Sequence, residues 1–397
     1  MALGVAVVLA ATSVPVVTAS LASAAEAVDG GGVSGEIALG GGAAAEVDER
    51  KGTLRSSFPL VSLGGRAGLD ASLTMTYDQS LASAGVDLHG LGAGWSVGIP
   101  SVRTDGGTVV YPASGGAFET DTASATGLKR YPLKDLTFTV KKGTLPERAG
   151  VDRADRVYEY TLGYEDGRTD YFSGAGDLIA RTDRFGNEIV FLWEKNRAGE
   201  SLHRPLAVIG TYGQKADLTP TAEGMTVVSP RRSDGTRPEM RLNVTGGRLA
   251  SVTDPAGQTT TFAYTPAPDG AAPGSGELLS KVTTPAGAVT EVSYQAPRGA
   301  VAVDTVKTVD KDGKEVAAQR TFRLGVDGDR DYTGYPQHQG GENGLFDSGD
   351  TAYTYTTELS DGVSVIRSTY NNLHLLKKRE TFLLADGGKR VALRSQA

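Results

Sequence analysis

Hydrophobic and polar residues alternate with period two in short runs along most of the chain, and three of these runs belong to a repeated unit. The units read GDLIARTDRFGNEIVFLW, GRLASVTDPAGQTTTFAY and ELLSKVTTPAGAVTEVSY, and they span residues 176–193, 247–264 and 277–294. In each, an apolar strand enters a four-residue turn, and a second strand ends on an aromatic residue seven positions after the turn. A unit repeated in this way predicts a series of β-hairpins.

The turns of the units carry the residues that a tight turn prefers. In the second unit, Asp254, Pro255 and Gly257 occupy the first, second and fourth positions of a type I turn. Glycine at the fourth position supplies the positive φ with which such a turn joins a bulged hairpin. Beyond the turn, Phe262 and Tyr264 fall on one face of the second strand. Three unrelated hairpins are the alternative, but strand length, turn position and closing aromatic recur together.

Two stretches nearer the N-terminus combine strand periodicity with a glycine-rich turn. GGRAGLDASLTMTYDQS spans residues 64–80, and its apolar residues alternate from Leu69 to Tyr77. HGLGAGWSVGIPSV spans residues 89–102. Its glycines lack the βαβ context of a nucleotide-binding loop and lead directly into Trp95, so backbone crowding around a packed tryptophan explains them better. Residues 64–102 are called the N-terminal motif below.

These features resemble the RHS or YD-repeat protein family. Its repeats read roughly G-x-L-x-x-x-T-D-x-x-G-x-x-x-x-x-x-Y, which is similar to the three units. The N-terminal motif resembles a segment of bacterial RHS proteins in which a strand ending in Tyr-Asp or Tyr-Ser leads to a G-x-G-W-S turn. DYTGYP, FDSGDTAYTYTT and STYNNLHLLKKRE, between residues 331 and 380, resemble a later part of the same shell.

The resemblance implies a ribbon of β-hairpins that spirals into a hollow shell and encloses the C-terminal part of its own chain, often a toxin. We therefore predict an all-β fold: a ribbon of antiparallel hairpins forming part of a spiralling RHS/YD-repeat shell. Complete members continue into a core with a self-cleaving aspartate site, whereas this sequence reaches Ala397 with three clear repeats. We expect the shell segment to be incomplete at its C-terminus, with an open strand edge around Val391 to Leu393.

Three regions are predicted along the chain. Residues 1–27 read as a signal peptide, because an apolar run precedes small residues typical of a cleavage site, although no Lys or Arg comes before it. A buried hydrophobic strand is the alternative there. Residues 28–53 are rich in Gly and Ala and are interpreted as a flexible lead-in. Residues 54–397 are assigned to the shell segment. The signal peptide favours a bacterial protein that is secreted or held at the cell surface.

Composition narrows the classes of partner and chemistry. The net charge of −7 argues against a nucleic-acid partner, which needs a clustered basic surface. The sequence has no cysteine, so it can form neither disulfides nor thiolate metal sites. The apolar run near the N-terminus is too short and too interrupted to predict a membrane span.

No constellation of residues predicts catalysis, a metal site or cofactor binding. The histidines do not pair at metal-ligand spacing and are interpreted as turn or surface residues; they are His89, His203, His338 and His374. The sequence contains no G-x-S-x-G motif. The run DGDRD at residues 327–331 is the best cation candidate, but it departs from an EF-hand loop and is interpreted as a solvated acidic loop.

We therefore expect a secreted, non-enzymatic β-scaffold, the N-terminal part of an RHS-repeat shell whose partner is its own downstream chain or a toxin cargo. A cell-surface carbohydrate-binding or adhesive β-protein is the alternative, because exposed Tyr and Trp on β-surfaces stack on sugars. An exported hydrolase is a third candidate, supported by the signal segment alone.

Overall fold

The computed structural model of the chain describes residues 37–40, 43–104, 107–112, 117–120, 127–128, 135–296, 299–326, 352–372 and 374–396. Within these residues the chain forms 27 β-strands, β1 to β27, and one short α-helix, α1. Neighbouring strands pair antiparallel throughout the three sheets. The predicted all-β, antiparallel fold is confirmed. The predicted signal peptide and the DGDRD run lie outside the described residues.

The first sheet contains five strands in chain order. They are β1 Ile37–Gly40, β2 Ala43–Val47, β3 Leu54–Arg66, β4 Leu69–Asp78 and β5 Trp95–Ser96. Helix α1, Gln79–Ser83, follows β4 and begins where the Asp78 side chain accepts a hydrogen bond from Ser80 N–H. The predicted alternation along β4 is confirmed, because every second side chain from Leu69 to Tyr77 is buried.

Part of the predicted lead-in, residues 28–53, forms strands of this sheet, because both β1 and β2 lie within it. Ala45 and Val47 on β2 are buried, and β2 pairs with β3 from Ala44 to Val47. A turn after β2 closes with Gly52 N–H donating to the Asp48 carbonyl at 2.7 Å. Alanine is so small that β2 shows no clear alternation of hydrophobic and polar residues in the sequence. Pairing with the neighbouring strands stabilises β2 instead.

A small second sheet and a long third sheet follow. The second sheet has three strands in chain order. They are β6 Ser101–Arg103, β7 Val109–Tyr111 and β8 Phe118–Glu119. The third sheet is a ribbon of nineteen strands, each paired with its neighbours in the chain. Among the described residues, its first strand pairs only with the second and its last strand only with the one before it.

The strands of the ribbon have the following bounds. The first ten are β9 Leu136–Thr144, β10 Val157–Tyr164, β11 Thr169–Phe172, β12 Leu178–Thr182, β13 Glu188–Lys195, β14 Ser201–Ile209, β15 Lys215–Thr221, β16 Gly224–Val228, β17 Glu239–Thr245 and β18 Arg248–Thr253. The remaining nine are β19 Thr259–Thr265, β20 Leu278–Thr283, β21 Val289–Gln295, β22 Ala302–Val309, β23 Glu315–Leu324, β24 Thr354–Ser360, β25 Ser364–Asn371, β26 Leu376–Ala385 and β27 Lys389–Gln396. On β27, Val391 and Leu393 are exposed.

Hairpin turns alternate between the two edges of the ribbon, because successive strands run in opposite directions. The predicted turns of the three units all lie on one edge, here called the turn edge. In each, the glycine N–H donates to a carbonyl three residues earlier and the glycine has positive φ; these glycines are Gly186, Gly257 and Gly287. The same turn recurs on this edge at Gly213 and Gly313. The opposite edge is called the seam edge.

The first sheet packs against one face of the ribbon and fills it with apolar side chains. The ring of Phe58 on β3 lies 5.3 Å from that of Phe262 on β19, in an edge-to-face arrangement. The Trp95 ring on β5 lies 4.9 Å from the same phenylalanine. Aromatic pairs of this kind add about 0.5–1.5 kcal/mol beyond the area that they bury. This stretch of the ribbon therefore faces the chain's own N-terminal sheet rather than an open interior.

The turn geometry leads to a first prediction. Gly257 has φ of +80° and no neighbouring atom near the position of a Cβ, so Gly257→Val introduces backbone strain and no clash. We expect this change to lower the free energy of unfolding by about 1–2 kcal/mol. Gly64 is equally open but lacks positive φ, so Gly64→Val is the matched control and should cost less than about 0.5 kcal/mol. Urea unfolding measures both, and equal losses would contradict the turn assignment.

Candidate functional site at the seam edge

The closing aromatic of each unit forms the same hydrogen bond. Its side chain donates to the main-chain carbonyl of the leucine fifteen residues earlier, at the third position of the unit. The bonds join Trp193 to Leu178 at 2.6 Å, Tyr264 to Leu249 at 2.6 Å and Tyr294 to Leu279 at 2.5 Å. The strand pairing shifts register immediately before each aromatic. A bulge leaves backbone groups unpaired, and the aromatic side chain satisfies one of them.

The N-terminal motif runs along the seam edge and contacts the start of every unit. It meets the units in reverse order, so the chain crosses the third unit first and the first unit last. The contacts are Gly276 N–H donating to the Ser83 carbonyl at 3.0 Å, an antiparallel bridge between Gly92 and Arg248, and Val102 N–H donating to the Gly176 carbonyl at 2.8 Å. One segment therefore connects three hairpins that are far apart in the sequence.

These contacts depend on glycine, because main chain meets main chain with no room for a side chain. A Cβ at Gly176 would lie 1.9 Å from the Val102 carbonyl oxygen. A Cβ at Gly92 would lie 2.7 Å from the Gly247 carbonyl oxygen. A Cβ at Gly276 would lie 2.3 Å from the Ala82 carbonyl oxygen. The glycine-rich turn of the N-terminal motif thus serves close packing, in agreement with the interpretation drawn from its sequence.

The N-terminal motif also places one aromatic or imidazole group on each closing aromatic. The His89 ring lies 5.8 Å from the Trp193 ring, Trp95 Nε1 donates to the Tyr264 hydroxyl at 2.8 Å, and the Tyr77 hydroxyl contacts that of Tyr294. The Tyr77 hydroxyl also accepts a hydrogen bond from Leu279 N–H at 3.0 Å. Burial raises the pKa of each of these three tyrosines well above its ordinary value. Their hydroxyls therefore stay protonated and keep their donor roles at any physiological pH.

His89 is the buried polar group at one end of the seam. Its Nδ1 accepts a hydrogen bond from Val97 N–H at 3.3 Å, so the proton lies on Nε2, which is 3.4 Å from Ser101 Oγ. Burial, together with the nearby charge of Arg103, lowers the pKa of His89 to about 3. With the proton on Nε2, the imidazole donates towards the serine hydroxyl and cannot take its proton, and both groups are buried. We therefore interpret His89 and Ser101 as groups that pack and hydrogen-bond within the core.

A partly exposed polar cluster lies beside His89. Asp177, the second residue of the first unit, is buried, and its carboxylate lies 2.7 Å from His203 Nδ1. The Arg103 guanidinium lies 2.7 Å from the same nitrogen and donates to the Leu88 carbonyl at 2.7 Å. These polar contacts join β6 and β14 to the first unit.

The predicted positions of the histidines are only partly reproduced. His89 and His374 lie in chain bends, yet both are buried, because each packs against aromatic rings rather than facing solvent. His203 is half-buried, and His338 lies outside the described residues. Among the described residues, no three His, Asp or Glu side chains come together as metal ligands would. In the same part of the chain, no helix is long and apolar enough to cross a membrane.

Comparisons with known proteins give partial matches. No family model matches the chain. A stretch of 65 residues, 16% of the chain, is 42% identical to Salivary gland surface protein 1 of Aedes aegypti and covers 2% of that protein. A crystal structure of TcdB2-TccC3 without its hypervariable C-terminal region matches 91% of this chain and 16% of its own, at 12% identity and a TM-score of 0.22.

The Photorhabdus luminescens Tc holotoxin pore gives a similar result, over 88% of this chain and 19% of its own, at 12% identity and a TM-score of 0.25. The similarity to these Tc toxin chains is weak. The present chain spans a fifth or less of the length of the solved chains named here, and a far smaller share of the curated relative.

The buried imidazole leads to a second prediction. The pKa of His89 in the folded chain is below its ordinary value of 6.5, so the unfolded chain takes up a proton first as pH falls. Stability is therefore lost as pH decreases from about 6.5 towards 3, at up to about 1.4 kcal/mol per pH unit from this group. His89→Asn removes the titrating group, so the difference in unfolding free energy between wild type and variant should shrink as the pH falls. A constant difference between pH 7 and pH 4 would contradict the assignment.

Proposed function

We propose that this chain is a non-enzymatic, exported β-scaffold: the N-terminal part of an RHS/YD-repeat shell that encloses a downstream polypeptide, either its own or a toxin cargo. The contacts along the seam edge are the observation on which this proposal rests. Three repeat units with the same internal hydrogen bond are held by one N-terminal motif through backbone contacts and aromatic pairs. This arrangement supports a mechanical role, in which the N-terminal motif keeps a wall of hairpins closed.

A shell that contains a polypeptide needs strands that stay together. Contacts along the seam edge continue past the third repeat unit and support this requirement. Gln79 donates through Nε2 to the Val301 carbonyl at 2.7 Å, and Val303 N–H donates to the Gly52 carbonyl at 2.7 Å. Glu49, in the turn before β3, forms a nearly buried ion pair with Arg379 on β26. The distance from the Glu49 carboxylate to the Arg379 guanidinium is 3.4 Å. The N-terminal sheet thereby ties the ribbon together from the first unit to the last strands.

The packing of the N-terminal sheet on the repeat units supports a further detail of the proposal. Because that sheet covers the inner face of the repeat units, this portion forms a filled and closed end of the shell. The enclosed polypeptide then lies beyond it, along the ribbon that follows. The buried cluster of His89 and Ser101 contributes rigidity to the closed end, and no turnover is assigned to it.

The experiment that tests enclosure is limited proteolysis of the complete product of the gene. We expect trypsin to leave a resistant core in which residues 54–397 remain together with protected sequence that follows them. Trp95→Ala removes the donor to Tyr264 and the ring packed on Phe262, so the following sequence should be cut at least about tenfold faster. Tyr212→Ala, at an exposed turn, is the control and should digest like wild type.

Two results would overturn the proposal. One is a gene product that ends at Ala397, because no downstream polypeptide would then exist to be enclosed by this chain. The other is a downstream sequence that trypsin removes at the same rate from wild type and from the Trp95→Ala variant.

A further inference from the structure

The side chain of His203 lies where the end of the N-terminal motif meets the first unit, and its Nδ1 atom has two incompatible neighbours. The Arg103 guanidinium on β6 lies 2.7 Å from this nitrogen. The carboxylate of Asp177, at the start of the first unit, lies 2.7 Å from the same nitrogen. A ring nitrogen carries either a proton or a lone pair, so it cannot bond an N–H donor and a carboxylate acceptor at once. The protonation of Nδ1 therefore decides which contact is a hydrogen bond.

The two contacts belong to different charge states of the ring. Arg103 donates to Nδ1 only while the ring is neutral and its single proton lies on Nε2. A second proton on the ring reverses the arrangement, because Nδ1 then donates to Asp177 in a charge-assisted hydrogen bond. The imidazolium and the guanidinium would then lie in contact as like charges, which repel each other. Protonation of His203 therefore displaces Arg103.

Arg103 also holds the N-terminal motif at this end of the seam. Its Nη2 donates to the Leu88 carbonyl at 2.7 Å, so one guanidinium connects β14 to the glycine-rich turn of the motif. Displacement of Arg103 breaks that bond. The contacts at Gly92 and Gly276, on the second and third units, are made by main-chain groups and do not involve the arginine. The effect of protonation is therefore confined to the first unit.

The other titratable groups near this contact do not take over the role of His203. His89, in the turn of the motif, stays neutral in mildly acidic solution, because burial and the charge of Arg103 lower its pKa to about 3. Beside His203 on β14, Arg204 is paired with Glu194 of β13 at 2.8 Å. The charge that changes in mild acid is therefore that of the His203 ring.

His203 is both accessible and strained. Its side chain is 36% exposed, so a proton from solvent reaches the ring, whereas the Asp177 side chain is 3% exposed. The backbone of His203 has φ of +56°, in the left-handed region that residues with a Cβ seldom adopt. Its N–H donates to Ser201 Oγ at 3.0 Å. Strain of this kind, kept where two parts of a chain meet, is typical of switch regions.

We propose that His203 is an acid-sensitive switch for the contact between the N-terminal motif and the first unit. With the ring neutral, Arg103 bonds both His203 and the Leu88 carbonyl, and the contact is closed. An imidazole takes up its second proton between about pH 8 and pH 5. The ring then bonds Asp177 alone, Arg103 leaves, and residues 88–103 loosen while the second and third units stay in contact with the motif. This proposal does not depend on enclosure.

The test is hydrogen exchange of the intact chain at about pH 7.5 and about pH 5.5, corrected for the intrinsic pH dependence of amide exchange. We expect the amides of residues 88–103 to exchange at least about tenfold faster at the lower pH, and those of β18 to β21 to keep their rates. His203→Asn does not titrate, tolerates positive φ, and has an amide that accepts from Arg103 and donates to Asp177. This variant should show the slow exchange at both pH values.

Two further variants separate the switch from other effects of acid. His89→Asn removes the buried imidazole and should keep the pH response of the wild type. Arg103→Gln removes the guanidinium, so residues 88–103 should exchange at the fast rate at both pH values. Equal exchange of these residues at the two pH values in the wild type would overturn the proposal. A response that survives in His203→Asn or Arg103→Gln, or that disappears in His89→Asn, would do so as well.

Discussion

Close main-chain contact between the N-terminal motif and the starts of the repeat units is the interaction on which the rest of the structure depends. At Gly176 and Gly92 the two backbones approach until no Cβ could fit. That approach brings Trp95 and Tyr77 within hydrogen-bonding reach of groups on β19 to β21. Because backbone hydrogen bonds and aromatic pairs form together, the first sheet and the ribbon share one continuous core.

The two edges of the ribbon differ in what they do. Along the three units, the seam edge is crossed by the chain's own N-terminal motif, whose Trp95 and Tyr77 form hydrogen bonds with the units. The turn edge is occupied by tight turns whose aspartates cap their own backbone, as Asp254 does for Ala256 and Gln258.

Local features of the fold were predictable from the sequence, whereas long-range ones were not. The turn at Gly257 and the alternation along β4 follow from period and turn chemistry, which act within a few residues. The bond from Trp95 to Tyr264 crosses 169 residues, and no local pattern encodes that distance. The burial of His89 was missed for the same reason, since Trp193 comes from the first unit. One sequence feature does indicate the contact: the first two units begin with glycine, where the N-terminal motif packs against them.

The central claim is that the N-terminal motif holds the repeat units in place, and hydrogen exchange of the intact chain tests it most directly. Gly92→Ala places a methyl group against the Gly247 carbonyl, whereas Gly85→Ala imposes similar backbone strain, at φ of +69°, in open space. We expect Gly92→Ala to speed amide exchange in β18 to β21, on the far side of the contact, and Gly85→Ala to leave those strands unchanged. Identical exchange in the two variants would contradict the account.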